Sequence, residues 1–303
     1  MNIIPLSYSI PDEYIVKTVP DKTRLFSEVI PGGRSNYLYK AGEEDKYIEQ
    51  YRSSRFAYTS KKGGWDCLRH YEILAAGCIP VFTDLDECPS NTMTSFPKAL
   101  IKEACAALLP WEDSKEELYK SYVIKLLDHC RNHCSTSASA GRFLSFFHKV
   151  KKVLLIQCNP GENYTRELLS IGLRRTLGSD YVDYPKIDVL YKDCELGSKY
   201  GNGFTYGGKL DNIDIDRSNI ESRIKSHEFD LIIFGKVGRD EGGEGYIPHM
   251  PLWQTVSSVY GRDEIVFLYG GDGCQTLTNL NSPYTSHLMQ HATRATCFVR
   301  ELN

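Results

Sequence analysis

Lys61-Lys62-Gly63-Gly64-Trp65-Asp66-Cys67-Leu68-Arg69-His70-Tyr71-Glu72-Ile73-Leu74-Ala75-Ala76-Gly77-Cys78-Ile79-Pro80-Val81 is a basic, glycine-bearing loop that feeds a helix and turns tightly into a strand. Lys61 to Gly64 form the loop, Trp65 to Ala76 read as the helix, and Gly77 as the turn that ends it. Cys78-Ile79-Pro80-Val81-Phe82 then reads as a buried strand, and Arg55-Phe56-Ala57-Tyr58-Thr59 as a short strand just upstream. Strand, loop, helix and strand in this order are the alternation of an α/β fold.

Downstream, helices are expected around Phe96 to Leu108, Ser114 to Cys130 and Ala138 to Val150. A second α/β stretch opens with Lys151-Lys152-Val153-Leu154-Leu155-Ile156-Gln157, the near-continuous apolar run of a central parallel strand. Cys158-Asn159-Pro160-Gly161 makes a loop, and Glu162 to Leu177 a helical pattern ending at Gly178. Phe229 to Phe234 and Glu264 to Tyr269 are further strand-like runs, each ending in a glycine-bearing loop. Ligands of open parallel sheets gather where such loops leave the carboxyl ends of strands. The 303 residues are about twice the usual size of one domain. The reading is therefore α/β with two Rossmann-like domains facing a cleft: residues 1–136, a helical linker at 137–152, and residues 153–303.

Composition excludes several classes. Hydrophobic residues make up 41% and charged residues 25%, as in a folded globular protein. The longest apolar runs, such as Ile101 to Pro110, fall far short of the roughly 18 residues of a membrane helix. The first residues lack the layout of a secretory signal, so a cytoplasmic location is expected. No Cys-x-x-Cys pair occurs among the ten cysteines, which read as reduced, mostly buried thiols. A net charge of −3 gives no general attraction to nucleic acid, so phosphate binding must be local.

The quoted segment supplies it. Amides at a helix start, with Lys61 and Lys62, make a site for phosphate oxygens, and Arg69 could add a bidentate contact. Glu72 lies about one turn beyond Arg69, where its carboxylate could accept both hydroxyls of a ribose. Together they form a nucleotide-diphosphate grip that needs no metal.

Glu72 to Val81, Glu-Ile-Leu-Ala-Ala-Gly-Cys-Ile-Pro-Val, resembles the nucleotide-binding motif of GT-B glycosyltransferases. Arg69-x-x-Glu72 followed by Gly-Cys-Ile-Pro-Val is similar to exostosin-like members. The resemblance implies a hexosyl- or pentosyltransferase using a UDP- or GDP-sugar and a glycan or glycoconjugate acceptor, without a cofactor beyond the co-substrate. It makes Lys61, Lys62, Gly63, Gly64, Arg69 and Glu72 donor ligands. Many retaining members carry a second glutamate where this chain has Gly64, and the departure favours inversion. In such enzymes the donor domain normally comes second. Here it comes first, and Ile4 to Glu13 reads as an interdomain segment, so joining the end of the chain to its beginning would restore the usual order. A circular permutant is expected, with Ser7 to Glu13 near the hinge and Ser9 touching the donor.

Inversion needs a base for the acceptor hydroxyl. Asp272 and Asp240, each flanked by glycine-bearing loop sequence, rank ahead of Glu162, with Glu241 beside Asp240 and His249 the weaker alternative. Any one of them could equally be a turn residue. Lys199 to Gly208 is an aromatic, glycine-bearing loop that either stacks a sugar or buries its own rings. His129 and His133 share a helical face but lack companion zinc ligands, and no metal is expected. Asp214-Ile215-Asp216 is the better pointer to a metal-dependent GT-A reading. Two rivals remain: a catalytically inactive glycosyltransferase-like carbohydrate- or nucleotide-binding module, and a Rossmann-type phosphosugar enzyme. The latter lacks its Gly-x-Gly-x-x-Gly after Gln157.

Overall fold

The computed structural model describes residues 2–32, 39–40, 42–157, 163–195, 206–237, 247–272, 277 and 282–303. Three strands, Arg24–Phe26 (β2), Ser54–Thr59 (β3) and Ile79–Phe82 (β4), form one parallel sheet in the order β2-β3-β4. Six others form a second: Ile3–Pro5 (β1), Val153–Gln157 (β5), Tyr181–Tyr184 (β6), Leu231–Gly235 (β7), Ile265–Tyr269 (β8) and Thr296–Val299 (β9). Their order is β1-β9-β8-β7-β5-β6, and every pairing is parallel. The helices are Glu44–Arg52 (α1), Leu68–Ala75 (α2), Lys98–Leu108 (α3), Glu116–His129 (α4), Thr136–Leu144 (α5), Tyr164–Leu177 (α6), Ile220–Lys225 (α7), Trp253–Val259 (α8) and Pro283–His291 (α9). The α/β class with parallel sheets is thereby established. Among the described residues no helix is long and apolar enough to cross a membrane.

The central strands are apolar throughout because both faces of the larger sheet are covered. Successive side chains point to opposite faces. Val153 and Leu155 join Leu168 of α6 and Phe143 of α5, while Leu154 and Ile156 join Ile220, Val256 and Phe267. The first of these clusters continues without a break into the smaller sheet, taking in Phe56, Tyr71, Ile79 and Leu126. Apolar contact thus runs from one sheet to the other. The stretch expected to link the halves is itself packed: α5 crosses α6 so closely that a Cβ on Gly172 would run into the Thr136 carbonyl, and Phe143 lies 4.7 Å from Phe298.

The start of the segment read as an interdomain connection, Ile4 and Pro5, belongs to a strand of the larger sheet. Ile4 pairs with Phe298, so β1 extends the sheet beyond β9. The pairing is parallel and sets Ile3 at the level of Cys297.

The decisive segment folds as expected at its end and differently at its start. Gly77 has φ +67° and donates to Leu74 O at 3.0 Å, while Cys78 donates to Ile73 O at 3.1 Å. These paired bonds satisfy the last carbonyls of α2 and turn the chain into β4. The helix begins at Leu68, three residues later than expected, because Cys67 is extended and the amides before it have other partners.

Candidate functional site

The loop between β3 and α2 is pressed against the carboxyl edge of the larger sheet. Trp65 and Asp66 donate their backbone N–H groups to the two oxygens of Glu301, at 3.1 and 2.8 Å. Arg300 beside it is 1% exposed and donates to the carbonyls of Asp66 and Gly270, to Glu301 and to Asp272. Its guanidinium also lies 4.5 Å from the centre of the Tyr8 ring. Asp66, itself buried, accepts from Tyr8 N–H at 2.6 Å and from Tyr71 OH at 2.7 Å. Burial raises its pKa to about 6, against the pull of Arg300 and these two donors.

The glycines are what let the loop come this close. A Cβ on Gly63 would fall 2.7 Å from an Asp272 carboxylate oxygen, and one on Gly64 would overlap the Glu301 carboxylate and lie 3.1 Å from the Asp272 carbonyl. Gly64 is buried and serves this approach rather than facing a ligand. Lys61, Lys62 and Gly63 are exposed, and Gly63 lies beside Asp272, whose side chain is 68% exposed. Lys61 lies over the Trp65 ring at 5.4 Å, and its amide donates to Asp84 at 3.2 Å.

A relay orients the start of α2. Arg69 Nε donates to Thr59 Oγ1 at 3.2 Å, and the Thr59 hydroxyl meets His70 Nδ1 at 2.8 Å. His70 Nε2 donates to the Trp65 carbonyl at 3.0 Å, which leaves Nδ1 as the acceptor. Burial, with Arg69 adjacent, lowers the His70 pKa to about 3, so the ring is neutral at pH 7. The second nitrogen of Arg69 donates to Ser60 O at 3.3 Å. Its guanidinium therefore braces the end of β3 in this structure instead of standing open for a bidentate phosphate contact.

Glu72, one turn on, has a hydroxyl on each carboxylate oxygen: Tyr47 OH at 2.6 Å on Oε2 and Tyr206 OH at 2.8 Å on Oε1. Burial raises its pKa, opposed by the two phenols and by Arg69. Tyr47 belongs to α1 and Tyr206 to the second half of the chain. No family model, curated protein or solved structure matches the chain.

The expected residues are thus sorted by position. Gly63 meets Asp272 at the sheet junction, with Lys61 and Lys62 exposed in the same loop, and Glu72 lies one turn into α2. The amides expected for phosphate are occupied by Glu301. Ser9 is 2% exposed and lines a small cavity with Ser7, Tyr8, Ser139, Thr165 and Leu168, so its side chain faces α5 and α6 and offers no surface to a donor. Asp240, Glu241 and Glu162 lie outside the described residues, as do residues 199–205 of the aromatic loop. His249 is exposed in the short turn Ile247–His249. His129 and His133 stack at 4.5 Å, and His129 donates to the Ser95 carbonyl. Among the described residues no group of three or more His, Cys, Asp and Glu is placed to hold a metal ion.

Sequence reasoning missed Glu301, Arg300, Asp66 and Tyr47. Only Tyr206 carried a signal, as the last ring of the glycine-bearing aromatic loop.

Proposed function

We propose that the chain is a nucleotide-sugar-dependent glycosyltransferase of GT-B type, inverting and metal-independent, which transfers a sugar from a UDP- or GDP-sugar to a carbohydrate or glycoconjugate hydroxyl. The observation that carries the reading is the meeting of the Lys61–Gly64 loop with Asp272 at the carboxyl edge of the other parallel sheet. An exposed carboxylate meets a loop without side chains at Gly63 and Gly64, and the same loop carries two exposed lysines. In the proposed reaction the acceptor oxygen attacks the anomeric carbon, its proton passes to the Asp272 carboxylate, and the bond to the diphosphate breaks with its electron pair. Lys61 and Lys62 neutralise the departing diphosphate, and Glu72 receives the ribose hydroxyls. A cytoplasmic site of action fits the same reading.

A second reading, an inactive binding module, is favoured by one observation: Arg300 already pairs with Asp272, and Glu301 fills the two amides. Incubating the chain with UDP- and GDP-sugars and measuring release of nucleoside diphosphate separates the two. The enzyme reading expects turnover that falls at least 100-fold in Asp272→Asn with donor binding retained. Donor binding without any release, in the parent chain and across the sugar panel, would leave the module as the better account.

A further inference from the structure

We infer that Tyr206 is an internal competitor for the donor, holding on Glu72 the place that a ribose hydroxyl takes and withdrawing when nucleotide binds; the inference rests on the donor-site reading given above. A carboxylate that accepts one hydroxyl on each oxygen has the arrangement it would have with the vicinal diol of a ribose. Here both hydroxyls are supplied by the protein.

The two phenols are not equivalent. Tyr47 is part of the wall. It stands on α1, which packs on α2; its hydroxyl accepts from Tyr51 at 3.2 Å, and its ring meets those of Tyr39 and Tyr51. Tyr206 is a visitor, 134 residues away in sequence. Its segment is fixed to the other half of the molecule: Gly208 donates to Val189 O and Leu210 to Leu190 O, both at 2.8 Å, and Lys192 donates back to Leu210 O at 2.9 Å. Gly207 lies between that anchor and the ring, and Gly208, within the anchor, has φ +64°, a conformation open to glycine at little cost. A ring on a short glycine-jointed arm therefore reaches across to the carboxylate.

What holds the ring there is its hydrogen bond and its burial in the main hydrophobic cluster. Tyr14 packs edge-on against it at 5.1 Å, and Lys209 steadies Tyr14 by donating to its hydroxyl at 2.5 Å and lying over its ring at 4.8 Å. A ribose hydroxyl arriving on Glu72 must displace the phenol, so the Tyr206–Glu72 bond opposes donor binding by what it contributes to the closed state. The rest of the cost of opening is the burial of the Tyr206 ring, which is 4% exposed in the closed state. Apparent donor affinity is then the intrinsic affinity reduced by the fraction of molecules that are open.

The test is calorimetric titration of the full chain with UDP and with GDP, in the parent, Tyr206→Phe and Glu72→Gln, with circular dichroism to verify folding. Tyr206→Phe keeps the ring but removes its claim on Glu72, so binding should tighten by about 10-fold, the equivalent of one hydrogen bond to a charged group. A variant that is merely damaged would bind more weakly. Glu72→Gln should weaken binding by at least about 10-fold. Unchanged or weaker binding by Tyr206→Phe, with Glu72→Gln impaired, overturns the competitor and leaves the donor site standing. If Glu72→Gln binds as the parent does, or if neither the parent nor Tyr206→Phe binds nucleotide, the donor-site reading fails and the competitor with it.

Discussion

Glu301 and Glu72 are two carboxylates with a donor on each oxygen, yet they do opposite work. Glu301 is 1% exposed and is held by two backbone amides and a buried guanidinium, groups that cannot move without the loop or the strand that carries them. Glu72 is only partly buried and is held by two side-chain hydroxyls, one of them on an arm from the other half. Backbone donors make a fastening, whereas side-chain hydroxyls make a place that another hydroxyl can take.

Breaking the fastening should have the largest effect. Glu301→Ala leaves Arg300 and two buried amides short of a partner, and loss of one member of such a pair costs about 3–5 kcal/mol. Urea unfolding of the purified chain measures it; a loss below about 1 kcal/mol would put Glu301 in the same class as Glu72. Next comes Asp66, whose acid form burial favours, with a pKa of about 6 against a usual 3.8. The native state binds this proton more tightly than the unfolded chain. Its contribution is therefore full below the unfolded value and is lost as pH rises through the native one. Asp66→Asn removes the titration, so the stability of the parent minus that of the variant should decline from pH 4 to pH 6.5, by about 3 kcal/mol at most.

The paired glycines sharpen the comparison further. Gly64→Ala pushes a Cβ into Glu301 and the Asp272 backbone, which should cost about 1–3 kcal/mol. Gly63→Ala meets only the exposed Asp272 side chain, which Arg300 holds, and should cost less than Gly64→Ala, about 0.5–1 kcal/mol in thermal melts. A small effect is also expected at the exchangeable place: Tyr206→Phe should lower stability by about 1 kcal/mol, read from the same urea curves.

How much of this the chain discloses in advance depends on the range over which each feature is encoded. β3, β4, β5, β7 and β8 are legible because each is a local apolar run closed by glycine or a polar loop. β6 was not, since Tyr181-Val182-Asp183-Tyr184 places a carboxylate in a buried strand, where Arg174 and Arg217 pair with it at 3.1 and 2.6 Å. β1 and β9 were missed because each is three or four residues long and β1 ends in proline, which only an edge position accommodates. The same rule sorts the site. Gly63, Gly64, Glu72 and the glycine-flanked Asp272 are local patterns. Glu301 reaches Asp66 across 235 residues and Tyr206 reaches Glu72 across 134, and nothing periodic announces either.

The pairing of β1 with β9 also bears on how the molecule comes into being. Ile3 waits for Cys297, and the amides of Trp65 and Asp66 wait for Glu301. A nascent chain leaving the ribosome must therefore carry an unpaired β1 and an undocked loop until residues 296–301 emerge. Contacts so distant in sequence form late and slowly. Deleting residues 296–301 would strand β1 and the loop as well, and a pulse of protease during synthesis should find its first cuts on both sides of this unfinished seam.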